Sequence, residues 1–486
     1  MDPIRAPALQ RLSTGDNALD AILGGGVPAR SVTILAGEPG AGKTVLTLQM
    51  AFHAARQGKR CLYLSTLAEP PIKLLRYMQL FGFFDPELVD KQIFFADLAT
   101  ALRGGIEATL AELSERIEAI EPGMIVIDSF RAIGDLLRDP GVGRSFAYEV
   151  AVLTASWGGT TLLVGEYTRE EIRTLPEFSI ADGIVWLGAH RQELTAVREL
   201  EVLKLRGSAY MTGRHFFELC DTGLVCYPRV QAPKTAAESP STERVSTGVA
   251  GLDALLTGGV PHTSATLVHG ATGAGKTLLC LHYLLEGARR GEKGILFTLE
   301  ETPDQIRSIA RSFGWDLAAM EARGLLEIDH ASPVELSTDR FLEQARQRLY
   351  AGDVRRAVLD GLTSLGLGVP SERRFKELVY AITKHARAAG VTLFMTMEAP
   401  ELLGTLLLPG AGISFATDNI VQLRYVEVEG RLDRAISVLK ARGIRHETGL
   451  RSLTMTDAGL EVTRERFRDL RGVLSGERTA PPEPKE

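Results

Sequence analysis

Two apolar segments, each followed by a glycine-rich loop, dominate the pattern of the chain. Residues 31–36 and 265–269 consist almost entirely of aliphatic and β-branched side chains, and each predicts a buried strand. After each loop, apolar positions recur at helical spacing, as they do at residues 45–56, which predicts an amphipathic helix. A strand, a turn and a helix in this order are typical of α/β folds with a parallel sheet.

The first half contains further segments of both kinds. Apolar and charged positions alternate at helical spacing over residues 106–120, which predicts a helix. Four apolar residues followed by an aspartate at residues 124–128 predict a buried strand that ends in a carboxylate. In the second half, Thr302 and Gln305 match a capping box at the start of a helix. Additional strands are predicted at residues 60–66, 160–165, 183–187, 200–205 and 294–299.

The second half of the chain repeats the first at a nearly constant offset. The glycine-rich loops begin at Gly37 and Gly270, 233 positions apart, and Asp128 recurs as Asp360 at an offset of 232. The basic segment at residues 204–207 recurs at residues 440–443, at an offset of 236. An offset this steady along the chain indicates tandem domains.

Composition sets the predicted boundaries. The residues around 229–244 are rich in proline and small polar side chains, as linkers are, and the end of the chain is rich in proline and charge, which predicts disorder. Each domain is predicted to be α/β, with a mostly parallel sheet flanked by helices and hairpins at its C-terminal edge. The predicted parts are an N-terminal domain at residues 1–228, a linker at 229–244, a C-terminal domain at 245–475 and a tail at 476–486.

Both glycine-rich loops match the phosphate-binding pattern G-x-x-x-x-G-K-[ST] in full. The glycines let backbone N–H groups close around an anion, the lysine reaches the terminal phosphates, and the threonine hydroxyl ligates Mg²⁺. The sequence therefore predicts two sites for ATP and Mg²⁺. The predicted nucleotide-binding residues are Gly37, Gly40, Gly42, Lys43 and Thr44 in the first site and Gly270, Gly273, Gly275, Lys276 and Thr277 in the second.

Asp128 and Asp360 complete the predicted metal sites. Each closes an apolar segment, and the carboxyl ends of parallel strands face the ligand in α/β sheets. A carboxylate at that place can reach the water shell of Mg²⁺. Thr44 with Asp128, and Thr277 with Asp360, are therefore the predicted metal-binding pairs.

The two halves differ at one predicted catalytic position. A strand of the second half ends in Glu300 and Glu301, whereas the first half has Ala68 followed by Glu69. If the first glutamate of the pair orients the attacking water, the first domain should bind ATP but hydrolyse it slowly. The alternative is that Glu69 takes over this role and both sites turn over.

The totals agree with an ordinary globular protein. Hydrophobic residues make up 45% and charged residues 24% of the 486 residues, so wholesale disorder is excluded. The net charge of −6 and the lack of a long basic stretch argue against a nucleic-acid partner, although a local basic groove remains compatible. Residues 1–10 lack a leader pattern and no apolar stretch is long enough to span a bilayer. We therefore expect a cytoplasmic protein without a membrane partner.

Longer segments resemble KaiC, the double-domain member of the RecA-like ATPases. The similarity extends from about residue 11 to residue 475, and its most specific parts are residues 300–303, 312–316, 425–427, 434–436 and 440–443. The resemblance implies two RecA-like P-loop ATPase domains. It also implies a hexameric double ring with ATP bound between neighbouring subunits, and it is compatible with regulatory protein partners.

The resemblance assigns a role to two pairs of cations. It implies that Lys204 and Arg206, and likewise Lys440 and Arg442, reach from one subunit to the nucleotide of the next. Cations held there can neutralise charge that builds on the γ-phosphate, and supplying them in trans makes hydrolysis depend on assembly. The alternative is a basic, solvated strand edge.

The resemblance also points to a candidate phosphorylation site. KaiC of the clock type phosphorylates itself on an adjacent serine and threonine in its second domain. In the matching stretch, residues 413–420, Ser414 corresponds to the serine and Phe415 replaces the threonine. Ser414 is therefore a candidate for autophosphorylation, while the two-site switch is incomplete. The alternative is that Ser414 is an ordinary loop serine.

Three functions follow from these observations. The first is a KaiC-type ring ATPase with serine/threonine autokinase activity at Ser414, acting in signalling or timing. The second is a RecA-like ATPase that depends on nucleic acid, which only the fold analogy favours. The third is a nucleotide-switched scaffold with little turnover. Ala68 favours the scaffold for the first domain, whereas Glu300 and Asp360 argue against it for the second.

Overall fold

The computed structural model of the chain divides into two compact units, Met1–Arg229 and Val230–Glu486. Within the described residues, each unit holds one nine-stranded sheet and one two-stranded sheet. The residues that the structure describes are 9–66, 71–136, 140–192, 195–229, 233, 242–332, 338–369, 371–399, 413–428 and 431–466.

Strands and helices alternate through most of the first unit. Its strands are β1 (Arg11–Leu12), β2 (Val27–Pro28), β3 (Val32–Gly37), β4 (Cys61–Ser65), β5 (Ile93–Asp97), β6 (Met124–Asp128), β7 (Thr160–Glu166), β8 (Gly183–Gln192), β9 (Thr195–Leu205), β10 (Arg214–Cys220) and β11 (Gly223–Tyr227). Its helices are α1 (Asn17–Ile22), α2 (Lys43–Arg56), α3 (Pro71–Met78), α4 (Ala99–Arg103), α5 (Ile106–Ile120), α6 (Phe130–Leu136), α7 (Pro140–Ser156), α8 (Glu171–Thr174) and α9 (Glu177–Ile180), with a 3₁₀ turn at Pro86–Leu88.

The second unit follows the same plan. Its strands are β12 (Arg244–Val245), β13 (Val260–Pro261), β14 (Ala265–Gly270), β15 (Lys293–Thr298), β16 (Leu326–His330), β17 (Val354–Asp360), β18 (Thr392–Glu398), β19 (Asn419–Val428), β20 (Arg431–Ala441), β21 (Arg451–Thr456) and β22 (Gly459–Arg466). Its helices are α10 (Ala250–Leu255), α11 (Lys276–Arg289), α12 (Pro303–Ser312), α13 (Leu317–Ala322), α14 (Thr338–Leu349), α15 (Leu362–Leu367) and α16 (Glu372–Ala388), with a 3₁₀ turn at Ile413–Phe415.

Both large sheets are parallel in the middle and antiparallel at one edge. The strand order is β11-β10-β9-β8-β3-β7-β6-β4-β5 in the first unit and β16-β15-β17-β18-β14-β19-β20-β21-β22 in the second. Strands β3 to β8 pair in parallel, and β8 to β11 form successive antiparallel hairpins. The predicted fold class, a mostly parallel sheet with a hairpin-rich C-terminal edge, is therefore confirmed.

The central strands are buried on both faces. Along β3, Leu35 belongs to one apolar cluster together with Leu48 of α2, whereas Ile34 belongs to a second cluster together with Leu113 of α5. This separation follows from the alternation of side chains along a strand. Helices on both faces explain why the central strands read as continuous apolar runs in the sequence.

Some elements match their predicted bounds, and others differ from them. The helix at Ile106–Ile120, the strand at Met124–Asp128 and the capping box of Thr302 and Gln305 are confirmed. Strands β8 and β9 are longer than predicted, because beyond Leu187 they continue as a two-stranded hairpin. Arg244, assigned to the linker, belongs instead to β12, where it pairs with Pro261. None of the helices in the described ranges is both long and apolar enough to cross a membrane.

Candidate functional site

Each glycine-rich loop joins the carboxyl end of a central strand to the first residue of a helix, β3 to α2 and β14 to α11. Gly42 and Gly275 precede these helices with φ angles of 96° and 105°, a left-handed conformation that favours glycine. No side chain caps either helix, so the first backbone N–H groups can bind an anion together with the helix dipole.

Lys43 and Thr44 form the polar floor of the first site. The Nζ of Lys43 donates to the carbonyl oxygens of Gly37 and Glu38, at 3.0 and 2.7 Å. The Thr44 hydroxyl donates to Oδ2 of Asp128 at 2.8 Å. Lys43 is only 7% exposed, and this burial lowers its pKa, an effect that nearby carboxylates oppose. The structure thus brings the predicted lysine, threonine and aspartate together.

Tyr63 is a contact of this site that the sequence did not single out. It lies on β4, beside β6, and its hydroxyl donates to the same Oδ2 of Asp128 at 2.7 Å. The ring is 1% exposed. Asp128 is therefore held by two hydroxyl groups, one from the phosphate loop and one from a neighbouring strand.

In the second site, the hydroxyl that binds the aspartate Asp360 comes from a different strand than in the first site. Thr396 on β18 donates to Oδ1 of Asp360 and accepts a hydrogen bond from the backbone N–H of Gly361. Asp360 is 4% exposed, and burial raises its pKa, while the hydroxyls of Thr396 and Thr277 lower it. Lys276 donates to the carbonyl oxygen of Ala271 at 3.0 Å.

Glu300 and Glu301 follow β15, the strand next to that of Asp360. Thr298 is paired with Asp360 in the parallel register, so both carboxylates follow the same edge of the sheet. Glu300 is exposed and accepts a hydrogen bond from the Ser364 hydroxyl at 2.7 Å. Burial, together with the charges of Asp360 and Glu300, raises the pKa of Glu301.

The corresponding glutamate of the first half cannot be located in the same way. Glu69, together with Ala68, lies outside the described residues. Its predicted role in the first site therefore stays a prediction.

The second site has oxygen atoms whose chemistry fits Mg²⁺ bound together with a nucleotide. Oδ2 of Asp360 and Oε2 of Glu301 are buried, and no hydrogen bond of good geometry reaches either atom from the described residues. The same residues contain no cluster of three or more His, Cys, Asp or Glu side chains that could hold a metal alone. This donor set fits Mg²⁺ bound through a hydroxyl, a carboxylate, phosphate oxygens and water.

The two strands between phosphate loop and aspartate also end in acidic residues that the sequence did not single out. Glu166 ends β7, where it is paired with Gly37. Glu398 ends β18, where it is paired with Gly270, and its carboxylate accepts a hydrogen bond from the Thr272 hydroxyl. Each strand end is adjacent to the start of a phosphate loop.

The predicted cations of the second unit lie elsewhere on the sheet. The Nζ of Lys440 donates to the carbonyl oxygens of Ser414 and Thr417. Arg442 is exposed, and its backbone N–H donates to the carbonyl oxygen of Asp418 at 3.0 Å. Burial and the charge of Arg442 lower the pKa of Lys440.

Lys204 and Arg206 occupy the matching place in the first unit. Lys204 donates to the carbonyl oxygens of Phe178 and Ser179, at 3.5 and 3.4 Å, and Arg206 contacts Asp182 at 3.3 Å. Burial and the charge of Arg206 lower the pKa of Lys204.

Strand direction separates these residues from the phosphate loop of their own unit. In the second unit, the loop follows Gly270 at the carboxyl end of β14, and Gly270 is paired with Leu423. Lys440 is paired with Ile420 near the amino end of β19, and Ser414 precedes that strand. In the first unit, Lys204 is likewise paired with Ile184, near the amino end of β8. The structure therefore brings the lysine, threonine and acidic residues together at the carboxyl ends of the parallel strands. The predicted trans cations and Ser414 lie toward the amino ends of these strands.

Comparison with known proteins finds the same family in both halves of the chain. The family described as the KaiC ATPase matches twice, at residues 12–231 and 245–466. The chain is 30% identical to the circadian clock oscillator protein KaiC of Picosynechococcus sp., covering 97% of this chain and 93% of that protein. It is 31% identical to the KaiC proteins of Acaryochloris marina, covering 96% of this chain and 91% of that protein, and of Thermostichus vulcanus, covering 96% and 92%.

Proposed function

Because the chain belongs to the KaiC family of ATPases, we propose that it hydrolyses ATP as a ring of identical subunits whose nucleotide sites are completed by the next subunit. The ring acts in signalling or timing, in line with its relatives, which are circadian clock oscillator proteins. A hexamer is the ring size expected from the family resemblance.

The position of Lys440 relative to the phosphate loop supports completion in trans. Lys440 and Arg442 lie toward the amino end of β19, whereas the loop follows the carboxyl end of the parallel strand β14. A cation at that edge is directed away from the γ-phosphate bound by Lys276 of the same chain. In a ring of identical subunits, it can instead approach the nucleotide of a neighbour, where it stabilises the charge of the transition state.

The proposed roles within one site follow from chemistry. Lys276 and the loop N–H groups hold the phosphates, and Thr277 and Asp360 hold Mg²⁺, which neutralises the charge of the β- and γ-phosphates. Glu300 orients the attacking water, because it is exposed and follows the strand next to that of Asp360. Lys43, Thr44 and Asp128 have the corresponding binding roles in the first site.

Mixing two variants that each disable the second site tests the ring. Lys276→Ala removes the second nucleotide site, and Lys440→Ala removes the cation that completes a neighbour's site. In a mixture, a Lys440→Ala subunit supplies an intact phosphate loop and a Lys276→Ala subunit supplies an intact Lys440. ATP turnover of the mixture should therefore exceed the mean of the two separate variants. Turnover equal to that mean would contradict completion in trans.

We further propose that Ser414 accepts the γ-phosphate from the second site of a neighbouring subunit. Its backbone carbonyl oxygen is bound by Lys440, so this segment and the proposed trans cation approach the neighbouring nucleotide together. Peptide mass mapping after incubation with Mg²⁺ and ATP should find phosphate on the peptide that contains Ser414, and none in Lys276→Ala. ATP consumption without phosphate on this peptide would leave an ATPase that is not an autokinase.

A further inference from the structure

One strand lies between the phosphate loop and the metal carboxylate in each unit. In the first unit this strand is β7, with β3 on one side and β6 on the other. Val164 of β7 is paired with Asp128, and Glu166 is paired with Gly37. Residues 164 and 166 point to the same face of the sheet because side chains alternate along a strand. Glu166 therefore extends from the sheet edge between the two groups that bind the γ-phosphate and its Mg²⁺.

Glu166 is a solvent-exposed carboxylate beside phosphate-binding groups. Adjacent strands are about 4.8 Å apart, and Gly37, the register partner of Glu166, accepts a hydrogen bond from Lys43 at 3.0 Å. Glu166 is exposed, and its negative charge acts on Lys43 of the phosphate loop. A water molecule next to the γ-phosphate can therefore reach this carboxylate.

The second unit has a carboxylate at the equivalent position, but there it accepts a hydrogen bond. Glu398 ends β18, between β14 and β17, and is paired with the loop residue Gly270. Its carboxylate is bound by the hydroxyl of Thr272. The residue at the position of Thr272 in the first loop is Pro39, 233 positions earlier. Proline has no side-chain donor, so the first loop cannot hold Glu166 in this way.

The halves differ not only at Thr272 and Pro39 but also at the predicted catalytic glutamate. The second unit has Glu300 at the strand end beside Asp360, whereas the first half has Ala68 at that position of the sequence. The first half therefore lacks both the glutamate that corresponds to Glu300 and the threonine that binds Glu398 in the second half.

We propose that Glu166 is a further catalytic residue, the base of the first ATP site. This inference rests on the proposed function, in that the first site binds ATP with Mg²⁺. The water oxygen forms a bond to the γ-phosphorus, one water proton passes to the Glu166 carboxylate, and the bond to the β–γ bridging oxygen breaks. ADP and inorganic phosphate leave, and Glu166 returns its proton to solvent. In the second site Glu300 has this role and Glu398 stays bound to Thr272.

The test isolates the first site in the full-length chain with Lys276→Ala. In this background, Glu166→Gln should lower kcat for ATP by at least about tenfold, since a positioned general base contributes roughly 10²- to 10⁴-fold. The affinity for a fluorescent ATP analogue with Mg²⁺ should change by less than about threefold, because the binding groups are untouched. Glu170→Gln, the same substitution at an exposed position in the loop after β7, is the matched control and should leave both quantities unchanged.

A restored glutamate gives the second arm of the test. Ala68→Glu, added to Glu166→Gln in the Lys276→Ala background, should recover turnover, because it restores a glutamate at the sequence position that Glu300 holds in the second half. Unchanged kcat in Glu166→Gln, or no turnover from the first site at all, would overturn the proposal. So would loss of turnover in Glu69→Gln with full activity in Glu166→Gln. Absence of turnover in the unmodified chain would instead refute the proposed function.

Discussion

Protonation of His282 should destabilise the second unit in mildly acidic solution. The Nε2 atom of His282, on α11, accepts a hydrogen bond from the backbone N–H of Leu460 at 2.8 Å. Its ring also contacts Trp315 edge-on, with centroids 4.7 Å apart. Burial, aided by the charge of Arg289, lowers the pKa of His282 from 6.5 to about 4. The folded chain therefore holds a neutral imidazole that the unfolded chain would protonate.

The size of the effect follows from this difference in pKa. Because the folded pKa is the lower one, the unfolded state binds more protons between pH 6.5 and 4, and stability falls as the pH decreases through this range. Each unit of difference corresponds to about 1.4 kcal/mol. The free energy of unfolding should drop by about 2 kcal/mol between pH 7.5 and pH 5, and by about 3 kcal/mol below pH 4.

The first unit suggests a control that does not titrate. Gln49 stands 233 positions before His282, and its Oε1 accepts a hydrogen bond from the N–H of Leu224 at 2.7 Å. His282→Gln should therefore keep the acceptor and lose the pH dependence. Urea unfolding that is monitored by hydrogen exchange in peptides from α11 measures the stability of the second unit by itself. An equal loss of stability between pH 7.5 and pH 5 in both proteins would refute the reasoning.

Three further substitutions test contacts of the second unit. Arg356 is 1% exposed and binds Glu292 and the carbonyl oxygens of Ser246 and Tyr283. Arg356→Ala should cost about 3 to 5 kcal/mol in urea unfolding, and Arg356→Met, which copies Met124 of the first unit, should cost less; equal costs would contradict this. Thr396→Val removes the donor to Asp360 and should raise the Mg²⁺ concentration needed for ATP-analogue binding about tenfold in a fluorescence titration, whereas Thr383→Val on α16 should not. Thr302→Ala should cost about 1 kcal/mol of unfolding free energy through loss of the helix cap, and Thr302→Ser should retain most of it.

The sequence was sufficient for features that depend on residues close together in the chain. The phosphate loops, the strand before Asp128 and the cap at Thr302 are each written in a short segment, and the repeat revealed the second copy. The mostly parallel sheet followed from alternating strands and helices. Local patterns therefore determine much of the fold.

Contacts that depend on strand order could not be read in the same way. Glu166 and Glu398 become relevant only because β7 and β18 lie between the loop strand and the aspartate strand. Tyr63 and Thr396 bind equivalent aspartates from different strands, so comparing the halves at a constant offset does not pair them. Thr396 corresponds to Val164 at an offset of 232, and valine has no donor.

The different ways of holding the two aspartates limit how parts of the halves can be exchanged. A chimaera with β18 in place of β7 would add a threonine to an aspartate that Tyr63 already binds. The reverse exchange would bring Val164 into the second unit and leave Asp360 without its strand donor. Although the halves descend from one repeated pattern, their strands are no longer interchangeable parts. In each half, the aspartate and the residue that donates to it would have to be exchanged together.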